Sequence, residues 1–378
     1  MKIAIISREF PPHGGGIGSW GQKASIGLAR LGHEVHVITD ARDGAPQSEL
    51  AEGVHLHRVV PAPIRPRSIG WALTAARAVR AQGPFDLVQA CEWDAEAFVH
   101  SLVGRAPLVT RLATPHFVVQ RTNRASRGQV LRSAATRWME RAQVSRSRAV
   151  ISPSRVLARE VATAWRMDPA AITIVPTGVE TPNGTRGSLP PLLAGVTYAL
   201  YFGRLEPRKG VDVWIDALPE VLGANPNLHA VLVGDDFGLR GRAFADYAGE
   251  RCGPLMERVH FLPHLPHDQL FPIVAASSLV VLPSLWENLA NTCLETMALG
   301  RPVLATNGSG FEEVLTDGLN GILVPPGDSV ALARAACAAL ADGEGLRRMG
   351  AAARLRAADF TVEAMAKGLD RVYARIVA

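Results

Sequence analysis

The feature that most constrains this chain is an alternation of short apolar runs with longer segments of helical spacing, which occurs twice. This alternation is typical of parallel strands joined by crossover helices. The strands predicted in the first half are residues 3–7, 34–39, 54–59, 85–89, 108–112, 149–152 and 172–176. Those predicted in the second half are residues 198–202, 229–233, 259–262, 279–282, 303–305 and 322–324. The sequence therefore predicts an α/β protein with one open parallel sheet in each half.

A stretch rich in proline and glycine separates the two halves. Residues 180–195 follow neither the helical nor the strand period, which suits a linker. A chain of 378 residues also exceeds what one hydrophobic core usually organises. Two doubly wound domains that face one another bind ligands in the cleft between the carboxyl ends of their sheets. Functional residues are therefore expected directly after predicted strands.

Composition excludes several classes of protein. The formal net charge of +5 arises from 40 basic and 35 acidic residues, a modest excess that permits an anionic ligand without indicating nucleic acid. The sequence contains no apolar run of the length that crosses a membrane, and its first apolar run is too short for a signal peptide. The cysteines lack the paired spacing of a disulfide framework or a zinc site; they are Cys91, Cys252, Cys293 and Cys337. These features predict a cytoplasmic globular protein.

A glycine-rich loop follows the first predicted strand. It includes glycines at 14–16 and 18, and a predicted helix over about 19–31 comes next. Glycines allow close approach of the backbone to an anion, and the N-terminus of a helix directs N–H groups at it. The loop is interpreted as a contact for a phosphate or a sugar edge, with an ordinary tight turn as the alternative.

A basic loop follows the first strand of the second half. Arg204 and Lys209 flank it, and Lys209 is one of only four lysines in the chain. A guanidinium and an ammonium at this position suit a diphosphate whose charge grows as it departs. The alternative is a solvated basic loop.

Two glutamates follow a later strand of the second half. Glu287 and Glu295 are separated by seven residues, and a helix is predicted to begin near Asn288. The N–H groups of its first turn would offer an anion site, and carboxylates suit vicinal hydroxyls. Taken alone, two glutamates on a helix are unremarkable, and a plain surface helix is the favoured interpretation. A further glycine-rich loop, 308–313, follows the next strand.

In their order, these motifs resemble glycosyltransferase family 4, a group of retaining enzymes with the GT-B fold. The resemblance rests on the loop at 14–18, on the basic loop from Gly203 to Gly210, on the spacing of Glu287 and Glu295, and on residues 308–313. It spans nearly the whole chain. It implies a Rossmann-like N-terminal domain on the acceptor side over 1–182, a linker over 183–195 and a Rossmann-like, donor-binding domain over 196–360. A helix over about 361–378 is expected to return to the N-terminal domain.

The resemblance also implies roles for individual residues. Arg204 and Lys209 would bind the donor diphosphate, Glu287 would bond the donor-sugar hydroxyls, and Glu295 would hold the ribose. The backbone amides of a short segment would complete the phosphate site; they belong to Asn288, Leu289 and Ala290. Two glycines of the N-terminal loop would approach the donor, namely Gly15 and Gly16.

The implied reaction transfers a sugar, with retention, from a nucleoside-diphosphate sugar to a hydroxyl of a small-molecule or glycan acceptor, as in carbohydrate biosynthesis or natural-product glycosylation. UDP is the favoured nucleotide. Arg204, Lys209 and Glu287 would carry the catalysis. The departing phosphate takes the acceptor proton, and neither a metal ion nor a cofactor is implied, which agrees with the lack of convincing metal-ligand spacing in the sequence.

The chain departs from the family at one position. Relatives often carry a histidine that contacts the donor sugar where this chain has Ala113, and His116 is interpreted as its replacement from a shifted position. The alternative is that the site is vacant and His116 is only a nearby histidine. The acceptor is expected to meet Glu92, Asp94 and Arg111, which follow neighbouring strands. A plain acidic cluster at the start of a helix is the alternative for the two carboxylates.

A basic run surrounds Trp138 and consists of Arg121, Arg124, Arg127, Arg132, Arg137 and Arg141. Such a run suits either a solvated helix face, which is favoured, or peripheral contact with an anionic membrane.

Three further functions stay open: a nucleotide-sugar epimerase, a disaccharide phosphorylase on the same fold, and a non-catalytic protein that binds sugar nucleotides. The last is motivated by Ala113.

Overall fold

The structure of the protein is a computed structural model that describes residues 1–12, 15–41, 47–122, 127–180 and 187–377. The chain divides into two compact units: unit 1 comprises Met1–Gly178 and Thr361–Ala378, and unit 2 comprises Val179–Phe360. Three parts of the sequence predictions lie outside the described residues, namely Gly14 of the glycine loop, Arg124 of the basic run and residues 183–186 of the expected linker.

Unit 1 is built on an eight-stranded sheet. Its strands are β1 (Lys2–Ile6), β2 (Glu34–Asp40), β3 (Ser48–Ala51), β4 (Val54–Val59), β5 (Leu87–Cys91), β6 (Leu108–Arg111), β7 (Ala149–Ser152) and β8 (Ile172–Ile174). They are ordered β3-β4-β2-β1-β5-β6-β7-β8. All neighbouring pairs are parallel except that between β3 and β4. Each of the seven predicted strands corresponds to one of these parallel strands.

The prediction of a wholly parallel first sheet is wrong at one edge. Ser48–Ala51 pairs antiparallel with β4, and Glu52 and Gly53, both with positive φ, connect the two strands. The segment Ser-Glu-Leu-Ala is short, polar and largely exposed, so it carries no apolar run that would indicate a strand. Antiparallel edge strands on otherwise parallel sheets are common.

Helices cover both faces of the unit 1 sheet. They are α1 (Gly16–Arg30), α2 (Arg67–Gln82), α3 (Phe98–Val103), α4 (His116–Thr122), α5 (Arg127–Arg132), α6 (Ala134–Arg146) and α7 (Arg155–Trp165). Successive residues of β1 point into different cores, since Ile3 and Ile5 belong to one buried cluster and Ala4 and Ile6 to another. Burial on both faces explains why the strands of parallel sheets are continuously apolar.

Unit 2 repeats this architecture with six strands. They are β9 (Thr197–Phe202), β10 (Leu228–Val233), β11 (Val259–Leu262), β12 (Leu279–Leu282), β13 (Val303–Thr306) and β14 (Ile322–Val324). The order is β11-β10-β9-β12-β13-β14, and every neighbouring pair is parallel. The helices are α8 (Val211–Ala224), α9 (Phe244–Cys252), α10 (His267–Ala276), α11 (Asn291–Ala298), α12 (Ser329–Ala341) and α13 (Gly343–Ala357). This strand order is that of the dinucleotide-binding Rossmann fold.

The last helix of the chain, α14 (Val362–Val377), belongs to unit 1. It packs against α1, and a Cβ added at Gly27 would lie 2.9 Å from the Cβ of Ala366. Leu369 and Tyr373 are fully buried in the same core as β1. The two units divide between Gly178 and Val179, and Leu193 of the expected linker is buried in the core of unit 2.

Each sheet has a point at which the strand order reverses direction. In unit 2 it lies between β9 and β12, and in unit 1 between β1 and β5. Open α/β sheets bind their ligands at the carboxyl ends of the strands beside such a switch point. No helix among the described residues is both long and apolar enough to cross a membrane.

Candidate functional site

A charged pair lies at the switch point of unit 2. Lys209, in the loop after β9, donates a hydrogen bond from Nζ to Oε1 of Glu287, in the loop after β12. Ser284 Oγ donates to the same carboxylate oxygen at 2.8 Å. The two members of the pair are 78 residues apart in the sequence, so the fold alone brings them together.

The pair lies in a strongly cationic setting. Burial by itself would raise the pKa of Glu287, but the Lys209 ammonium and the Arg208 guanidinium outweigh it and hold that pKa below its usual value. Burial also lowers the pKa of Lys209, and the neighbouring arginines add to this effect while Glu287 opposes it. The cluster is therefore an ionised carboxylate held among several positive groups, which suits a ligand with more than one negative charge.

Close backbone contact fixes the loops that carry the pair. Gly210 has a φ of 66°, and a Cβ there would lie 1.9 Å from the carbonyl oxygen of Pro283. The N–H of Leu285 donates to the carbonyl oxygen of Arg208 at 3.0 Å. A residue other than glycine at position 210 would push the two loops apart.

A third loop, the glycine-rich segment 308–313, contacts the backbone of the loop that carries Glu287. The N–H of Gly310 donates to the carbonyl oxygen of Glu287 at 2.8 Å, and a Cβ at Gly310 would lie only 1.3 Å from the carbonyl oxygen of Asn288. The hydroxyl of Ser309 is buried and has no hydrogen-bond partner among the described residues. A buried hydroxyl without a partner is unusual in a protein interior. Ser309, which the sequence did not single out, is therefore an available donor beside Glu287.

The helix after this loop begins later than expected. The prediction of a start near Asn288 is wrong, because α11 begins at Asn291 with Ala290 as its N-cap. The N–H groups of Leu289 and Ala290 find no acceptor among the described residues. They lie where a helix dipole favours negative charge, and the anion site at this end of the segment stays a prediction.

Glu295 is buried on α11, facing α10. Its Oε1 lies 3.7 Å from Nε2 of His267, whose ring stacks on Phe271 at 4.6 Å between ring centroids. His267 is exposed, and the sequence did not indicate it as a neighbour of Glu295. Glu295 therefore lies beside the exposed imidazole of His267.

The arginines of the basic loop differ in burial. The Arg204 side chain is 56% exposed, with Nη2 at 3.3 Å from Oε1 of Glu206. Arg208 is only 11% exposed and donates to the same oxygen at 2.8 Å. Sequence reasoning missed Arg208; its position directly beside Lys209 was the available signal. Arg204 is thus exposed where a ligand could contact it, whereas Arg208 is largely covered and bonded to Glu206.

In unit 1, His116 lies in a second polar cluster. Its Nδ1 lies 2.5 Å from Oε1 of Glu140, and its backbone N–H donates to Oε2 of the same carboxylate at 3.2 Å. Trp93 stacks on the imidazole at 4.0 Å with an interplanar angle of 10°. Nε2 lies 3.6 Å from Oδ1 of Asp94, which has a positive φ of 54°. Glu140 and Trp93 therefore fix the ring, and neither was predicted from the sequence.

Acidic side chains dominate this unit 1 cluster. Burial raises the pKa of Glu140, although His116 lowers it in part. Burial alone would lower the pKa of His116, but Glu140 and then Asp94 outweigh it and raise that pKa. At neutral pH the imidazole is thus held more in its charged form than a free histidine would be.

The residues expected to meet an acceptor fall into two groups. Glu92 is fully buried; its Oε2 accepts the N–H of Ala113 at 2.6 Å, while Oε1 lacks a partner among the described residues. Arg111 is also buried, donating to Thr177 at 3.1 Å. Asp94 is partly exposed beside His116. Burial does not support direct acceptor contact for Glu92 or Arg111, and that role stays a prediction.

The described part of the glycine loop lies at the start of α1. Gly15 is the N-cap and Gly16 the first residue, three residues earlier than the predicted helix. The N–H of Gly15 donates to Oε2 of Glu9 at 2.8 Å. Both glycines are exposed, so their backbone is open to a ligand.

Members of the basic run make contacts within unit 1. Arg121 pairs with Glu160 at 2.8 Å, and Arg141 donates to the carbonyl oxygen of Trp165 at 3.3 Å. Trp138 is 62% exposed, with one ring edge against Phe98. These contacts support the interpretation of a solvated helix face.

Comparison with known proteins agrees with the resemblance drawn from the motifs. Residues 14–182 match the family model described as Glycosyltransferase Family 4, and residues 197–342 match Glycosyl transferases group 1. The D-inositol 3-phosphate glycosyltransferase of Nocardia farcinica is 28% identical over 410 residues, covering 98% of this chain and 89% of the relative.

Solved structures share the whole architecture. Sucrose-phosphate synthase from Thermosynechococcus elongatus has a TM-score of 0.81 at 22% identity, over 99% of this chain and 98% of that one. Anabaena HepE in complex with UDP-glucose has a TM-score of 0.74 at 21% identity, over 99% of this chain and 100% of that one. The predicted GT-B fold class, with two parallel-sheet α/β domains, is thereby confirmed. The family resemblance is confirmed as well: the protein is a glycosyltransferase and belongs to the families that the two models describe, Glycosyltransferase Family 4 over residues 14–182 and Glycosyl transferases group 1 over residues 197–342.

Proposed function

We propose that this glycosyltransferase moves a sugar, with retention of configuration, from a nucleoside-diphosphate sugar to a hydroxyl of a small-molecule or glycan acceptor. The observation that carries the proposal is the pair of the partly buried Lys209 with the buried Glu287 at the switch point of unit 2. A UDP-sugar is the favoured donor, and the neighbouring structure of HepE in complex with UDP-glucose supports this choice.

The diphosphate of the donor would bind to the positive groups of unit 2. Lys209 and the exposed Arg204 supply charge from the loop after β9, and the N–H groups of Leu289 and Ala290 supply hydrogen bonds from the start of α11. Preorganised donors of this kind stabilise charge as it develops on a leaving group. We therefore propose that the transfer requires neither a metal ion nor a cofactor.

Glu287 and Glu295 would bind the two sugar rings of the donor. Glu287 is held ionised by its cationic neighbours, so its free lone pairs accept hydrogen bonds from the hydroxyls of the transferred sugar. Glu295, buried on α11 beside His267, would accept those of the ribose. Gly15 and Gly16 would approach the donor with exposed backbone.

In the reaction, the bond between the anomeric carbon and the diphosphate oxygen breaks while the acceptor oxygen bonds to that carbon on the same face. The acceptor proton passes to the departing phosphate oxygen, and nucleoside diphosphate is released. Charge stabilisation at the leaving group, and the alignment of both substrates, would supply most of the rate.

A thermal-shift panel tests the donor half of the proposal. UDP, ADP, GDP and UDP-glucose are added in turn to the wild type, to Arg204→Ala and to Arg348→Ala, a control whose arginine is exposed on α13. At a ligand concentration of about 100 Kd, one nucleotide is expected to stabilise the wild type by about 2.7 kcal/mol. The shift should persist in Arg348→Ala and diminish in Arg204→Ala; an undiminished shift there would exclude Arg204 from the diphosphate site.

Product analysis tests the transfer itself. We expect nucleoside diphosphate to appear in step with a new glycoside whose anomeric proton has the coupling constant of the donor configuration. An epimerised sugar nucleotide, or a sugar phosphate formed from a disaccharide, would indicate the two other enzymes that this fold can host. Tight donor binding without turnover across a broad acceptor panel would indicate a non-catalytic binding protein.

A further inference from the structure

Three histidines and a glutamate gather on one face of the unit 1 sheet, apart from the residues proposed for transfer. Glu34 and His36 alternate along β2, and His55 and His57 alternate along β4. The parallel register places His36 opposite His55. One ligand atom from each of Glu34, His36 and His55 lies within 4.8 Å of the others, and among the described residues only this trio meets that spacing.

We propose that Glu34, His36 and His55 form a binding site for a divalent transition-metal ion, with Zn²⁺ as the best match. Two imidazoles and a carboxylate form one of the usual protein donor sets for zinc. The sequence offered no such spacing, because the ligands come from two strands that only the sheet brings side by side.

The distances suit a tetrahedral ion. Nε2 of His36 lies 3.0 Å from Oε1 of Glu34. Ligand atoms bound to one Zn²⁺ at roughly 2.0–2.1 Å lie roughly 3.3 Å apart in a tetrahedron. The ring of His55 stacks on that of His36 at 4.5 Å between centroids, and one of its nitrogens lies within 4.8 Å of the other two ligand atoms; rotation of the ring would bring it to the ion. The partly exposed Glu34 leaves the site open to solvent.

A second layer of hydrogen bonds orients His36. Its Nδ1 lies 2.9 Å from Nε2 of His57, and Nδ1 of His57 lies 3.4 Å from the hydroxyl of Ser48 on the edge strand β3. When His36 donates its Nδ1–H to His57, Nε2 is free to bind a metal. Ligating histidines in metalloproteins almost always carry such a partner on the other ring nitrogen.

A cation lies beside the carboxylate of the site. Lys2 is the competitor for the carboxylate, with Nζ at 3.2 Å from the same Oε1 of Glu34. A divalent ion would displace that single charge, so removing it should tighten binding.

Unit 2 provides a matched control. His229 and His260 face each other across two parallel strands, with Nδ1 and Nε2 2.8 Å apart and their rings stacked at 5.1 Å. No acidic side chain of the described residues joins them in a metal-binding group. The same chain therefore contains a histidine pair without a carboxylate, which serves as a control for the complete set of two histidines and a glutamate.

The test uses the full chain without any affinity tag, treated with a chelator and then titrated with Zn²⁺ or Co²⁺. We expect one equivalent to bind, a rise in Tm, and the visible absorption of Co²⁺ with nitrogen ligands. His55→Ala and Glu34→Gln should weaken Zn²⁺ binding at least tenfold, and His57→Phe about 10- to 100-fold through the orientation of His36. Lys2→Met should tighten it, and His229→Ala should leave it unchanged.

Circular dichroism and Tm of the metal-free variants establish that each one is folded. Loss of binding in His229→Ala, or equal binding in wild type, His55→Ala and Glu34→Gln, would overturn the proposal, as would the absence of any stoichiometric binding by the wild type. Because the readout is binding of the ion alone, the result is independent of whether the protein transfers a sugar from UDP.

Discussion

The polar clusters of the two units occupy corresponding places after the strands of doubly wound sheets, but their charge balance is opposite. In unit 2, the Glu287 carboxylate lies among Lys209 and Arg208, and its pKa is lowered. In unit 1, Glu92 and Glu140 lie close together with one histidine, and their pKa values are raised. The fold therefore supplies the position of a cluster, and the side chains decide the sign of its charge.

The clusters are also held together differently. Glycines of unit 2 allow three loops to meet at the backbone, as at Gly210 and Gly310. In unit 1, hydrogen bonds to one buried carboxylate connect the cluster. Glu140 accepts from the backbone N–H groups of Asp94 and His116 and bonds to Nδ1 of the His116 ring. The unit 2 cluster thus presents a fixed charge to a ligand, whereas the charge of the unit 1 cluster changes more with pH.

The largest effect is expected from neutralising the unit 2 pair. Lys209→Met and Glu287→Gln should each lower kcat by about 10²- to 10³-fold, because preorganised charge at the leaving group is lost. Lys209→Met should also destabilise the fold, because the buried Glu287 carboxylate loses its ion-pair partner; since Ser284 and Arg208 remain beside it, the loss should be below the ~3–5 kcal/mol of a buried charge left alone. Steady-state kinetics and urea unfolding measure the two effects.

The double variant sharpens this prediction. Lys209→Met combined with Glu287→Gln should recover much of the stability lost in Lys209→Met while remaining inactive. Full activity in either single variant, with folding intact, would show that the unit 2 pair is structural only.

A smaller effect, on stability, is expected from Glu92→Gln. Burial, and then the charge of Glu140, raises the pKa of Glu92 from the usual 4.5 to about 8. Between these values the folded state keeps a proton that the unfolded state gives up, so Glu92 makes the wild type less stable as pH rises through this window. The neutral variant should match the wild type at about pH 5 and exceed it by on the order of 2–4 kcal/mol at about pH 9.

Urea unfolding at the two pH values measures this difference. Glu344→Gln, at an exposed position on α13, is the control and should show no such dependence on pH. If Glu92→Gln instead destabilises the protein equally at both pH values, the Glu92 carboxyl is ionised in the fold.

The smallest effect is expected from Glu140→Gln. Because Glu140 raises the pKa of His116, the variant should lower that pKa, as NMR titration of the imidazole would measure. The charged His116 contributes stability that is fully present at pH values below the usual pKa of histidine and is lost as pH rises through the raised pKa of the folded state. The variant should therefore lose stability on the acidic side. Transfer should fall a few-fold, on the order of 1 kcal/mol, if His116 contacts the donor sugar.

His116→Ala and Glu160→Gln complete that comparison. Unchanged kinetics in His116→Ala would remove His116 from the site, while Glu160→Gln, which alters a carboxylate paired with Arg121, should leave both the titration and the kinetics unaltered. An unshifted His116 titration in Glu140→Gln would contradict the coupling of the two groups.

Particular elements show how far the sequence could be interpreted. Most strands of the two sheets were predictable because burial on both faces makes them almost continuously apolar, and β2 and β4, which carry polar residues on one face, retain alternating apolar residues on the other. β3 was not, because Ser48–Ala51 is a polar edge segment that exists only through its pairing with β4. The predicted start of α11 is three residues too early, because Asn288 is a favoured N-cap type whereas the observed N-cap, Ala290, gives no such signal.

For the site, the sequence by itself determined the residue types and their spacing: Arg204, Lys209, Glu287 and Glu295 in the order of a known family. Only the tertiary structure decided which charges meet. The pairing of Lys209 with Glu287, the burial of Glu92, the hold of Glu140 on His116 and the gathering of Glu34, His36 and His55 all join residues from separate elements. The physical reason is that a pKa or a ligand site depends on distance and burial in space, which hydrophobic periodicity along the chain does not encode.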